Sequence, residues 1–280
     1  MIRSSNWRPE GRRVPRCDVV RGFTLLEMTI VIFIIGLLTA GLIGPVQVQL
    51  EARDRHKTLD YMNQAAEALY GFALTQRRLP CPDIDRDGMA DPPFNIGGGA
   101  CDKETGFLPW AELGVAPADA WGNRVTYRVR EKYFTWPAQN TACDGNIAAT
   151  AEFDLCAQGN ITIATRGDNA ATNGNIESKF AYPAATADNV AAVLVSHGRN
   201  GYGAVGADGV ARGAVPDQNK DEDENIDGDA VFMSRTYSAP QEDCIDNDDE
   251  GSPLCEFDDL VVPISRALLN ARMVSAGQLP

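Results

Sequence analysis

Carboxylates at alternate positions, closed by a glycine, are the chain's most pointed chemical signal. Asp83-Ile84-Asp85-Arg86-Asp87-Gly88 sets three acidic side chains on alternate residues, with Asp91 close behind. Oxygens so spaced can converge on one hard cation while the glycine permits the sharp turn, as in the first half of a calcium loop. Phe94 stands where an EF-hand would carry its bidentate glutamate, which excludes a complete EF-hand. Asp223-x-Asn225-x-Asp227-Gly228, with Asp229 beside it, repeats the spacing, and Asp246-x-Asp248-x-Glu250-Gly251 repeats it again. One reading is structural Ca2+, bound by Asp83, Asp85, Asp87 and Asp91 and by Asp223, Asn225, Asp227 and Asp229, which neutralises crowded carboxylates and stiffens loops. The other is a set of charged, solvated turns.

The remaining chemistry-bearing residues exclude more than they assign. Cys17 stands apart from Cys81, Cys101, Cys143, Cys156, Cys244 and Cys255. Six cysteines allow 15 connectivities. The sequence-local pairing 81–101, 143–156 and 244–255 is favoured, because short loops keep partners near one another. No Cys-x-x-Cys pair occurs, so a tetrahedral zinc site has little support. His56 and His197 are the two histidines. Ser196 and His197 are neighbours in sequence, but a nucleophile and its base must meet in space under a third, orienting group. A glycine-rich turn explains 196–201 better. With no phosphate loop, zincin motif or dinucleotide fingerprint, the chain reads as a non-enzyme. Its net charge of −14 argues against nucleic acid as a partner.

That charge is unevenly spread. Residues 1–22 carry six arginines against Glu10 and Asp18, and an uncharged run, MTIVIFIIGLLTAGLIG, follows at 28–44. Taken from Phe23, the run is long enough, at ~1.5 Å per residue, to cross a ~30 Å hydrocarbon layer as a helix. The basic flank would hold the amino terminus in the cytoplasm and put the acidic body outside. The expectation is a single pass through a membrane with the body in an oxidising compartment, where disulfides persist. A secretory signal would be cut after the apolar run, behind small residues, and no such site follows. A plain anchor leaves Glu27 unexplained, since a carboxylate in the run costs up to ~2.5–3.5 kcal/mol without a partner.

Arg21-Gly22-Phe23-Thr24-Leu25-Leu26-Glu27-Met28 resembles the cleavage and N-methylation motif of type IV prepilins and type II secretion pseudopilins. The resemblance implies removal of residues 1–22 by a prepilin peptidase cutting between Gly22 and Phe23, with methylation of the new amino group. It implies that Glu27 meets the Phe23 ammonium of a neighbouring subunit, so that other pilin or pseudopilin subunits are partners. The physics agrees: two charges that are costly in apolar surroundings become less so together, which fixes axial register. Ala118-Asp119-Ala120-Trp121-Gly122-Asn123 with Tyr127 is similar to a sheet-opening segment of pseudopilins, and 257–262 (FDDLVV) to a closing strand of pilin-like proteins. Calcium in sheet loops is known in that family, and the resemblance implies a bacterial inner membrane with the body in the periplasm. The implied function is a subunit of a type IV pilus or type II secretion pseudopilus, with the large loop-rich body favouring a minor one. The alternative is an anchored periplasmic calcium-binding or interaction module that does not assemble.

These residues need elements to hold them. Leu59, Met62, Ala66, Leu69 and Ala73 recur at steps of three and four, one stripe of an amphipathic helix. One helix is expected from about 23 to 76, bent at Pro45 and ended by Pro80. Strand-like runs follow at 124–129, 160–165, 190–195, 230–232 and 260–264, and Pro263 demotes the last to an edge. A short helix is expected at 266–274. The fold class is α+β: a pilin-like long N-terminal helix packed on a C-terminal antiparallel sheet with acidic, disulfide-bearing loops. The divisions are a leader (1–22), a membrane helix (23–44), an amphipathic continuation (45–79) and a β-rich body (80–280).

Overall fold

A computed structural model describes residues 22–93, 101–133, 159–166, 177–178, 190–247 and 252–279, with backbone alone at 40–47, 132 and 177–178. The chain divides into two units, 1–50 and 51–280. Helix α1 (Leu25–Gln76) contributes to both.

In the first unit, described side chains of α1 are exposed on every face: Leu26, Ile30, Ile32, Phe33, Leu37 and Leu38 are each at least half bare. Among the described residues no helix is long and apolar enough to cross a membrane. The expected single-pass inner-membrane location, with 23–44 as a membrane helix, is corrected on that finding.

In the second unit the amphipathic stripe does its expected packing. Met62, Ala65, Ala66, Leu69 and Ala73 are buried in one core with Tyr127, Val129, Ala192, Leu194 and Ile264. After α1 come the helices α2 (Trp110–Leu113), α3 (Lys220–Glu224) and α4 (Arg266–Ser275), and the strands are β1 (Thr105–Phe107), β2 (Thr126–Val129), β3 (Thr162–Thr165), β4 (Glu177–Ser178), β5 (Val190–Ser196), β6 (Val231–Met233) and β7 (Leu260–Ser265). A four-stranded sheet runs β1-β2-β5-β7 with every neighbour antiparallel. Pro263 does lie on its edge strand. A second sheet, β4-β3-β6, departs from the all-antiparallel expectation, since β3 and β6 are parallel. The long connection between them allows this, as parallel neighbours need a crossover.

Strand β5 is buried along its whole length. Ala192 and Leu194 face α1, while Val193 and Val195 pack with Ile161, Ile163 and Phe232 on the other side. A side-chain period of two thus splits the strand between both cores. Ala191 and Ala192 share the first core with Ala65 and Ala66 of α1. Helix α4 (Arg266–Ser275) closes the first core through Leu269 and Met273, and its Arg272 pairs with Glu67 of α1 at 2.6 Å. Disulfides join Cys81 to Cys101 and Cys244 to Cys255. The expected 143–156 pair and Cys17 lie outside the described residues.

Leu69 is fully buried and Leu268 of α4 is largely exposed. Leu69→Ala is expected to cost about 2–5 kcal/mol in urea unfolding, and Leu268→Ala less than about 0.5 kcal/mol.

Candidate functional site

Gly22 and Phe23 precede α1 outside any helix or strand, and Phe23 is exposed. Thr24 caps the helix. Its N–H and hydroxyl both donate to Glu27 Oε2, at 2.9 and 3.0 Å, and its own Oγ1 accepts from Glu27 N–H. This is a reciprocal capping box, and it satisfies donors that a helix start leaves free. The hydrogen bonds from Thr24 hold the Glu27 carboxyl below its ordinary range. Glu27 is therefore an exposed anion on the first turn, where the helix dipole also favours it. The Thr24-x-x-Glu27 spacing in the sequence is that of a capping box.

The acidic loops fold differently from their spacing. In the first, one oxygen each from Asp83, Asp85 and Asp91 comes within 4.8 Å of the others, without Asp87. These carboxylates mostly serve the loop itself. Asp83 accepts from the N–H of Arg86 and Gly88, Asp85 from Asp87, Asp87 from Met89, and Asp91 from Ile84 and Asp85. Alternating aspartates here act as Asx-type caps on successive turns.

The second loop opens in a helix. Asp223 lies in α3 (Lys220–Glu224), capped by Asn219, and the proposed set of Asp223, Asn225, Asp227 and Asp229 is not brought together. Glu224 joins Asp227 and Asp229 instead, on the surface. Asn225 turns inward, where its amide donates to Met233 O and to Asp259 Oδ2 at 2.7 Å. The spacing rule fails because a helical turn rotates each residue by about 100°, which sends alternate side chains to different faces.

In the third loop Asp246 is buried and faces protein partners. Its Oδ1 accepts from Cys255 N–H and lies 3.5 Å from Arg235, and its Oδ2 accepts from Asp221 N–H. Asp248 and Glu250 lie outside the described residues. Asp221 in turn binds Arg166 at 2.8 Å and Arg235 at 2.6 Å, all three being buried. Arg235 also stacks 4.6 Å from the Phe257 ring centroid and reaches Ser238. A network this well partnered is a local staple, which breaks at high cost if one member is removed.

Sequence reasoning missed a second cluster: Glu222, Asp258 and Asp259, all buried, each offer an oxygen within 4.8 Å of the others. Asp258 Oδ2 accepts from the N–H of Arg199 and Asn200 in the turn after β5. That turn needs Gly198, whose φ is +54° and whose absent Cβ would collide with the Asp258 carboxylate. Glu222 accepts from Asn200, Asn219 and Asp258 N–H. Burial pushes the Asp258 carboxyl up to about 7, with repulsion from Asp259 and Glu256 adding to it against the Asn200 hydrogen bond. Burial and Asp259 also drive Glu222 well above its ordinary range. The available signal was the consecutive pair Asp258-Asp259 directly before an apolar strand.

Ser196 and His197 part company in space. Ser196 Oγ donates to Asp119 Oδ2 at 2.6 Å, while His197 Nε2 meets Thr126 Oγ1 at 2.9 Å. Asp119 also accepts from Trp121 and Asn123 N–H, so the Asp-x-Trp-Gly turn is braced by its own carboxylate. No family model matches the chain, and no curated protein or solved structure matches it.

The raised Asp258 carboxyl has a definite sign. The folded state holds a proton that the unfolded chain releases above a pH of about 4. This contribution to stability is full below that pH and is lost as pH rises through about 7. In a chelating buffer, the unfolding temperature is expected to fall over that window, and Asp258→Asn is expected to flatten the fall.

Proposed function

We propose that the chain is a prepilin-like structural subunit: cut between Gly22 and Phe23 by a prepilin peptidase, N-methylated on Phe23, and packed through its N-terminal helix into a type IV pilus or type II secretion pseudopilus. The observation that carries this reading is the first half of α1. It is apolar on every described face, it is uncovered, and it bears one exposed carboxylate, Glu27, on its first turn. A helix apolar all round is covered in its working state. Equivalent helices of neighbouring subunits supply that cover, and the Phe23 ammonium of one supplies the counter-charge for Glu27 of the next. The sequence 21–28, which resembles the family's processing motif, supports the same reading.

The capping box sharpens the test, because Glu27 has a local role as well as an intermolecular one. Thr24→Val removes the reciprocal cap but keeps the carboxylate; Glu27→Ala removes both. If Glu27 meets a neighbour, Glu27→Ala abolishes incorporation into filaments, scored by immunogold labelling of sheared filaments. Thr24→Val then costs only a cap, about 0.5–2 kcal/mol of helix stability, and still assembles. Equal loss in both variants, or full incorporation of Glu27→Ala, refutes the pairing.

A further inference from the structure

We infer that Glu222, Asp258 and Asp259 form a binding site for one hard divalent cation of the calcium class, at the junction of α3, the turn after β5 and the start of β7. The inference is independent of assembly.

Three observations point there. The three carboxylates are 1%, 3% and 3% exposed, and one oxygen from each lies within 4.8 Å of the others. Calcium binds oxygens at about 2.3–2.6 Å, so ligand oxygens up to about 5 Å apart can share one ion. Second, the site is under-satisfied: Asp258 Oδ1 and Asp259 Oδ1 are buried and have no hydrogen-bond partner among the described residues. Third, His197, 1% exposed, turns Nδ1 towards the Asp259 carboxylate at 3.7 Å, and that nitrogen has no hydrogen-bond partner among the described residues. Buried polar atoms are seldom left so.

The two other acidic groupings lack this character. Asp83, Asp85 and Asp91 are occupied by backbone N–H groups. Glu224, Asp227 and Asp229 are half-buried or exposed. Nearby positive charge is indirect: Arg55 donates to the main-chain oxygen of Asp258 at 3.4 Å, and the Arg199 guanidinium pairs with Glu51. A cation there would tie together three segments far apart in sequence. An all-carboxylate donor set favours calcium over softer metals. A cleft of about 610 Å³, whose lining includes Tyr202, Gln218, Asn219 and Glu256, lies beside the cluster. Asn219 from that lining holds Glu222 Oε2 at 2.8 Å.

The test is calcium titration of the purified full chain, stripped with chelator, by calorimetry and thermal unfolding. The expected result is saturable binding with a rise in unfolding temperature. Binding should weaken at least tenfold in Glu222→Gln and in Asp258→Asn, and persist in Asp85→Asn and Asp227→Asn. Glu222→Gln keeps the size and hydrogen-bonding reach of the side chain, so it should fold in the chelated state. Absence of binding, binding unchanged in the first two variants, or loss in Asp85→Asn or Asp227→Asn each overturns the site. Zinc binding with no calcium binding overturns the assigned class.

Discussion

Strand β5 is the constraint on which the body depends. It is the interior strand that meets both cores, with α1 on one side and the second sheet on the other. It pairs with β2 and β7, so its register sets theirs. An all-apolar strand has no tolerance for a slip, because a one-residue shift would exchange the helix-facing alanines for the valines that fill the other core. The irregularity between Val190 and Ala192 places adjacent alanines towards the helix and restores the alternation afterwards.

The same strand delivers the polar chemistry. As β5 leaves the core it presents Ser196 to Asp119, His197 to Thr126 and Asp259, and the backbone of 199–200 to Asp258. Helix α3 completes the arrangement with consecutive acids facing opposite ways. Asp221 meets two arginines, while Glu222 joins the two aspartates. One side is electrically closed and the other carries excess negative charge. That asymmetry follows from burial: carboxylates kept from water need a counter-charge or a proton.

Much of this was legible in the sequence where apolar spacing decides structure. The stripe Met62, Ala66, Leu69, Ala73 and the run 190–195 each lie where periodicity puts them, and the local cysteine pairs 81–101 and 244–255 form. Acidic residues were harder to read. Lys220–Glu224 consists of charges and reads as a solvated turn, yet Asp221 and Glu222 are buried. Glu222 meets Asp258 across 36 residues, a contact that local spacing cannot reveal. Alternating aspartates at 83–87 look identical whether they hold a metal or cap their own backbone. The parallel pair β3–β6 escaped because strand runs carry no sign of direction.

The two parts of α1 pose complementary problems. From about residue 58 onward its apolar stripe is covered by the sheet, so the residues there are explained by the fold. Its first half has apolar side chains for which the single chain provides no cover. Assembly answers that, and processing creates the charged amino end that assembly uses. The most direct measurement is the amino-terminal peptide of the protein recovered from cells, sequenced by mass spectrometry. The account predicts a chain that begins at Phe23 and carries one methyl group on its amino nitrogen. A terminus at any other residue, or an unmethylated Phe23, would contradict it.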